Sequence, residues 1–126
     1  MQSRSRLYHA FGELIYTVSL ADGMIQLEEL DKLHEVLINH PWGQEIKWSF
    51  DYEALKNSDS QETYDRALQV LIDHGPDEEY VFLVDILEQI AEASNGIVPE
   101  EREVIDSIQQ SLRDHFMLYL DDNELI

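Results

Sequence analysis

A short turn followed by an acidic helix start occurs twice in this chain, and this repeat constrains the fold more than any other feature. The first copy is residues 21–29, ADGMIQLEE, and the second is residues 94–101, SNGIVPEE, which is one residue shorter. Asp-Gly and Asn-Gly favour tight turns, because glycine adopts a positive φ without steric cost. Paired glutamates are typical of a first helical turn, where they complement the helix dipole. The repeat therefore predicts two related helical hairpins.

Apolar residues three and four positions apart predict helices on both sides of each turn. The pattern indicates helices over residues 5–20, 27–39, 61–74, 77–93 and 99–119. Residues 41–60 are less regular, and we predict a connection there with one short helical turn near residues 51–56. No segment alternates as a strand would. The sequence thus predicts an all-α fold, a compact bundle of about five main helices.

The irregular insert between the predicted hairpins contains both tryptophans of the chain, Trp42 and Trp48. Large aromatic side chains more often fill a core than line a ligand site, so we expect both to pack onto the bundle. The alternative is that the two indoles form a binding face.

The length of 126 residues fits a single domain, residues 1–126, with hairpin repeats at about 7–40 and 80–119. The 27 acidic residues against 8 basic ones give a net charge of −19. Such a surface repels nucleic acid and anionic lipid, and it favours cations or basic partners unless it serves solubility alone. No apolar run is long enough for a membrane span, and the N-terminus leads into no signal-peptide core, so we expect a cytoplasmic location.

The acidic turns suggest a cation site, but not an EF-hand. Asp22 and Glu29 would take positions 5 and 12 of an EF-hand loop, while positions 1 and 3, which must supply oxygen, fall on Val18 and Leu20. Position 12 of the second copy would be Arg102. An EF-hand is therefore excluded.

A different cation site follows if the two hairpins pack with approximate twofold symmetry, because their turns then lie side by side. The oxygen donors gathered there would be Asp22, Glu28, Glu29, Asn95, Glu100 and Glu101. Calcium, magnesium and manganese prefer such ligands. The alternative is that the turn residues only shape their turns while the glutamates complement helix dipoles.

The pattern Ala-Asp-Gly-x-Ile-x-x-Glu-Glu between two helices, repeated near the C-terminus, resembles the TerB-like (tellurite-resistance) domain family. The first copy has every residue of the pattern, whereas the second has Asn95 in place of the acid and lacks one residue before Pro99. The resemblance implies an all-helical domain of bacterial stress-associated systems that binds cations through acidic residues. Redox chemistry on tellurite is not expected, because the chain has no cysteine.

No nucleophile elbow, P-loop or dinucleotide-binding motif occurs, so an enzyme is not expected. Two functions remain. The first is a small acidic stress-associated module that binds a divalent cation at the paired turns. The second is a metal-free interaction module that holds a basic or apolar protein partner through its acidic surface and aromatic insert.

Overall fold

The computed structural model describes residues 3–21, 23–93 and 96–116, and within these ranges all regular structure is helical. This confirms the predicted all-α class, with six helices where about five were predicted. The helices are α1 (Ser3–Ser19), α2 (Leu27–Leu37), α3 (Gly43–Lys56), α4 (Ser60–His74), α5 (Glu79–Glu92) and α6 (Pro99–Phe116).

Helix α1 is the centre of the bundle. It packs mainly against α3 and α4, and also contacts α5 and α6. Its apolar residues Leu7, Phe11, Leu14, Ile15 and Val18 are completely buried. Each such side chain stabilises the fold by roughly 1.5–3 kcal/mol relative to an exposed position. Because α1 is buried on several sides, it is a major source of stability.

The insert prediction was wrong in its main point, because residues 43–56 form the complete helix α3 rather than a connection with one short turn. The face of α3 that enters the bundle mixes apolar and polar residues, Ile46 and Phe50 with Ser49 and Glu53. Ser49 is buried because its hydroxyl donates a 2.6 Å hydrogen bond to the carbonyl oxygen of His9. These polar residues interrupt the spacing of apolar residues along α3, so apolar periodicity did not indicate a helix here.

The prediction of two equivalent hairpins is not confirmed. Helices α5 and α6 contact each other, but α2 lies mainly against α5 and α3. Helix α1 instead has α3 and α4 as its principal neighbours. Among the helices present in the described ranges, none combines the length and apolar character that a bilayer-crossing segment needs.

Candidate functional site

The second glutamate of each acidic pair has the same local role. Glu29 and Glu101 are the third residues of α2 and α6, and each is only 1% exposed. The Oε1 atom of Glu29 accepts a 3.0 Å hydrogen bond from the backbone N–H of Gln26, and Oε1 of Glu101 accepts one of 3.2 Å from Val98. This contact satisfies an N–H group just before the helix, as in a capping box. The helix starts therefore correspond, with Gln26 matching Val98.

The first glutamate of each pair differs from the second in its exposure. Glu28 and Glu100 both lie on the surface. Gly23 and Gly96 have φ angles of 99° and 88°, which confirms the predicted positive φ in both turns. The two remaining predicted ligands, Asp22 and Asn95, lie outside the described residues. Within the described ranges, no group of three or more acidic or histidine side chains is placed to hold a metal ion.

An open groove of about 650 Å³ lies beside the first turn, between the end of α1 and helices α4 and α6. Asp59, Glu100 and Glu103 give it an acidic lining. The hydroxyls of Tyr64 and Ser107 are 2.6 Å apart and join α4 to α6 across it. Of the predicted site residues, Glu100 contributes to this groove.

Two carboxylates on α1 and α3 share one arginine of α4. Arg66 lies 3.5 Å from Glu53 and 3.8 Å from Glu13. Burial raises the pKa of Glu13, and the nearby charge of Glu53 raises it further, whereas Arg66 opposes both effects. Glu53 also accepts a hydrogen bond from the Ser58 hydroxyl. The three side chains form a structural ion-pair network. Within it, the negative charge of Glu13 is less well compensated than that of Glu53.

The two tryptophans have different environments, so the prediction that both pack onto the core holds for only one of them. Trp42 packs against the core and stacks on Tyr8, with ring centroids 5.1 Å apart. Trp48 is 57% exposed, and the prediction was wrong for it. Ile46 and Phe50, on the opposite side of α3, are the residues that enter the bundle, while the Trp48 ring lies at the edge of α1 with its centroid 5.3 Å from that of His9.

The outer face of α3 carries three exposed apolar side chains. Trp48, Tyr52 and Leu55 follow one another at i, i+4 and i+7, which places them on one stripe of the helix. The Trp48 and Tyr52 rings stack with centroids 5.3 Å apart and an interplanar angle of 11°. Tyr52 is 45% exposed and Leu55 is 90% exposed. Analysis of the sequence missed this α3 face, although its i, i+4, i+7 spacing was visible.

Charged residues flank the α3 face on both sides, and their signs are balanced. Helical periodicity places Glu45 and Lys56 along one flank, with Lys47 and Asp51 along the other. Lys47 pairs with Asp51 at 2.8 Å, and Glu45 lies 2.9 Å from His9. The Lys56 ammonium lies 4.8 Å from the centroid of the Tyr52 ring. The α3 face is thus a locally neutral apolar area on a strongly acidic protein.

Comparison with family models, with curated proteins and with solved structures found no match to this chain.

Proposed function

We propose that this protein is a protein-interaction module that binds its partner through the α3 face. The observation that carries the proposal is the exposure of Trp48, Tyr52 and Leu55 on one stripe of a helix whose opposite side is buried. Contiguous exposed apolar surface on a soluble domain is typical of binding sites, and aromatic residues contribute most to binding energy at interfaces. Binding of a partner would remove this exposed apolar surface from water, which favours association.

The flanking charges favour one of the two partner types predicted from the sequence. A basic partner would need an acidic docking surface, but the α3 face is bordered by two acids and two lysines, Glu45, Asp51, Lys47 and Lys56. The face is therefore suited to a partner that supplies apolar side chains. The acidic surface elsewhere disfavours nucleic acid and anionic lipid.

A labelled peptide tests the proposal directly. The probe is a helical peptide with leucines along one side and uncharged glutamines along the other, and binding is followed by fluorescence anisotropy. We expect the protein to bind it, and we expect Trp48→Ser, Tyr52→Ser and Leu55→Ser combined to raise the dissociation constant about tenfold or more. Circular dichroism should show unchanged helicity, because all three residues are exposed.

The matched control changes exposed apolar residues on other elements. Ile38→Ser combined with Val81→Ser removes side chains that are 64% and 52% exposed, and it should leave peptide affinity unchanged. Equal loss of affinity in the control and in the α3 variant would show nonspecific apolar adhesion and contradict the proposal.

A cation at the acidic turns stays a prediction, as does the TerB-like resemblance. Two of the six predicted ligands, Glu29 and Glu101, each use an oxygen to accept a backbone hydrogen bond. Glu28 and Glu100 are exposed and would be available to a cation. The geometry therefore gives more support to the interaction module.

A further inference from the structure

We propose that the partner bound at the α3 face is a second copy of this chain, with the two α3 helices antiparallel across a twofold axis. The inference depends on the proposed function only in that the α3 face is the docking surface. It adds the identity and orientation of the partner.

The order of charges along α3 is complementary to itself when one helix is reversed. Glu45 lies near the start of α3 and Lys56 at its end, on the same flank and about three helical turns apart. A twofold axis perpendicular to the helices brings the start of one α3 beside the end of the other. Glu45 of each copy then lies near Lys56 of the other.

The charges on the second flank of the α3 face are also complementary when one helix is reversed, although they lie closer together along the helix. Lys47 and Asp51 are one turn apart and already pair within the helix at 2.8 Å. Reversal of the second helix sets Lys47 of one copy near Asp51 of the other. An isologous interface requires such self-complementarity on both flanks, and α3 provides it.

The apolar residues between these flanks also match in the reversed orientation. Trp48 lies toward the start of the stripe and Leu55 toward its end, so reversal places each indole near the leucine of the other copy. The three side chains expose roughly 300–400 Å² of apolar surface. This is about half of the roughly 800 Å² per partner of a standard interface, so we expect weak, reversible pairing.

The net charge of −19 predicts how this dimer responds to salt. Two acidic molecules repel each other, and added salt screens that repulsion. The locally neutral α3 face is the place where close approach has the smallest electrostatic cost. Dimerisation should therefore strengthen as sodium chloride increases, whereas binding to a basic partner would weaken.

Sedimentation equilibrium of the full chain, over a range of protein and sodium chloride concentrations, measures the pairing. We expect a monomer–dimer equilibrium whose dissociation constant falls several-fold from low to physiological salt. Leu55→Ser should raise the dissociation constant about tenfold, and Val81→Ser, at an apolar position on α5 that is 52% exposed, should not change it.

Charge exchange tests the antiparallel register. Glu45→Lys alone and Lys56→Glu alone should each weaken the dimer, because each places like charges together. The combined exchange should restore pairing toward that of the original chain. This rescue separates an effect on the interface from loss of the contacts that Glu45 makes with His9 and Lys56 with Tyr52.

Three outcomes would overturn the inference: a monomer under all conditions, a dimer that Leu55→Ser leaves intact, or a combined exchange that is weaker than either single change. If the protein is monomeric but still binds the leucine peptide through α3, self-pairing is wrong and the proposed function stands. If neither the peptide nor a second copy binds, both are wrong.

Discussion

At the scale of single residues, fully and partly buried carboxylates differ in what compensates their charge. Glu29 and Glu101 accept backbone hydrogen bonds at helix starts, and Glu53 accepts from Ser58 and pairs with Arg66. Glu13 has a longer 3.8 Å contact with the same arginine, and weaker electrostatic contributions from His9 and Lys56. A buried charge with weak compensation destabilises the folded state.

Glu13→Gln should therefore stabilise the protein at neutral pH. The pKa of Glu13 is raised in the fold, so its ionised form is penalised, and the penalty is complete above the folded-state pKa. As the pH falls through that pKa toward the unfolded value, the carboxyl becomes protonated and the penalty disappears. We expect a melting temperature about 2–4 °C higher at pH 7, and a difference that vanishes in acid, measured by calorimetry.

Glu53→Gln is the matched control, because it removes a carboxylate on the neighbouring helix that does have partners. It should lower the melting temperature at pH 7. A stabilising effect of both substitutions would indicate general relief of negative charge, and the specific explanation for Glu13 would be wrong.

At the scale of helices, the contact between α1 and α3 depends on the absence of a side chain at Gly12. A Cβ atom there would lie 2.4 Å from the carbonyl oxygen of Ile46 and 2.8 Å from Cβ of Ser49. Gly12→Ala should therefore force the helices apart and lower the free energy of unfolding by about 1–3 kcal/mol, although alanine favours the helix. Urea denaturation provides the measurement.

Gly23→Ala serves as the comparison for that prediction. A Cβ at Gly23 would meet nothing within 4 Å, and only the φ of 99° makes the substitution unfavourable. We expect it to cost ~1 kcal/mol. If Gly12→Ala had the smaller effect, close packing of α1 on α3 would not be a major source of stability.

The helices that the sequence predicted well are those whose buried residues are mainly apolar. Helix α1 was predicted as residues 5–20 and is observed as Ser3–Ser19, and α5 was similarly close. Helix α3 was missed because Ser49 and Glu53 occupy its buried face while Trp48, Tyr52 and Leu55 lie outside. Its orientation depends on partners in α1 and α4, such as the His9 carbonyl oxygen and Arg66, which are distant in sequence.

Part of the candidate site could also be predicted. The turn sequences correctly indicated positive φ at both glycines and helix starts immediately before the glutamate pairs. The sequence did not show which glutamate of each pair is buried, because that depends on the neighbouring helices. For the same reason, two similar turns in sequence did not establish two equivalent packed hairpins.

At the scale of the whole molecule, the net charge of −19 makes stability sensitive to any cation. Sodium chloride screens repulsion among all the acids and should raise the melting temperature whether or not a specific site exists. A test of the cation hypothesis must therefore separate specific binding from screening.

The cation hypothesis predicts that millimolar calcium, magnesium or manganese raises the melting temperature above that in sodium chloride at matched ionic strength. A cation that binds only the native state should contribute ~2.7 kcal/mol at a hundredfold excess over its dissociation constant. Asp22→Asn combined with Glu28→Gln should abolish the additional gain. Glu28 is preferable to Glu29 for this purpose, because Glu29 accepts the hydrogen bond from the backbone N–H of Gln26, just before α2.

The matched control is Asp121→Asn combined with Asp122→Asn. It removes the same number of charges from outside the turns and should preserve the gain in melting temperature. Equal loss in the two variants would mean that cations interact with the acidic surface as a whole, and the interaction module would be the only function left.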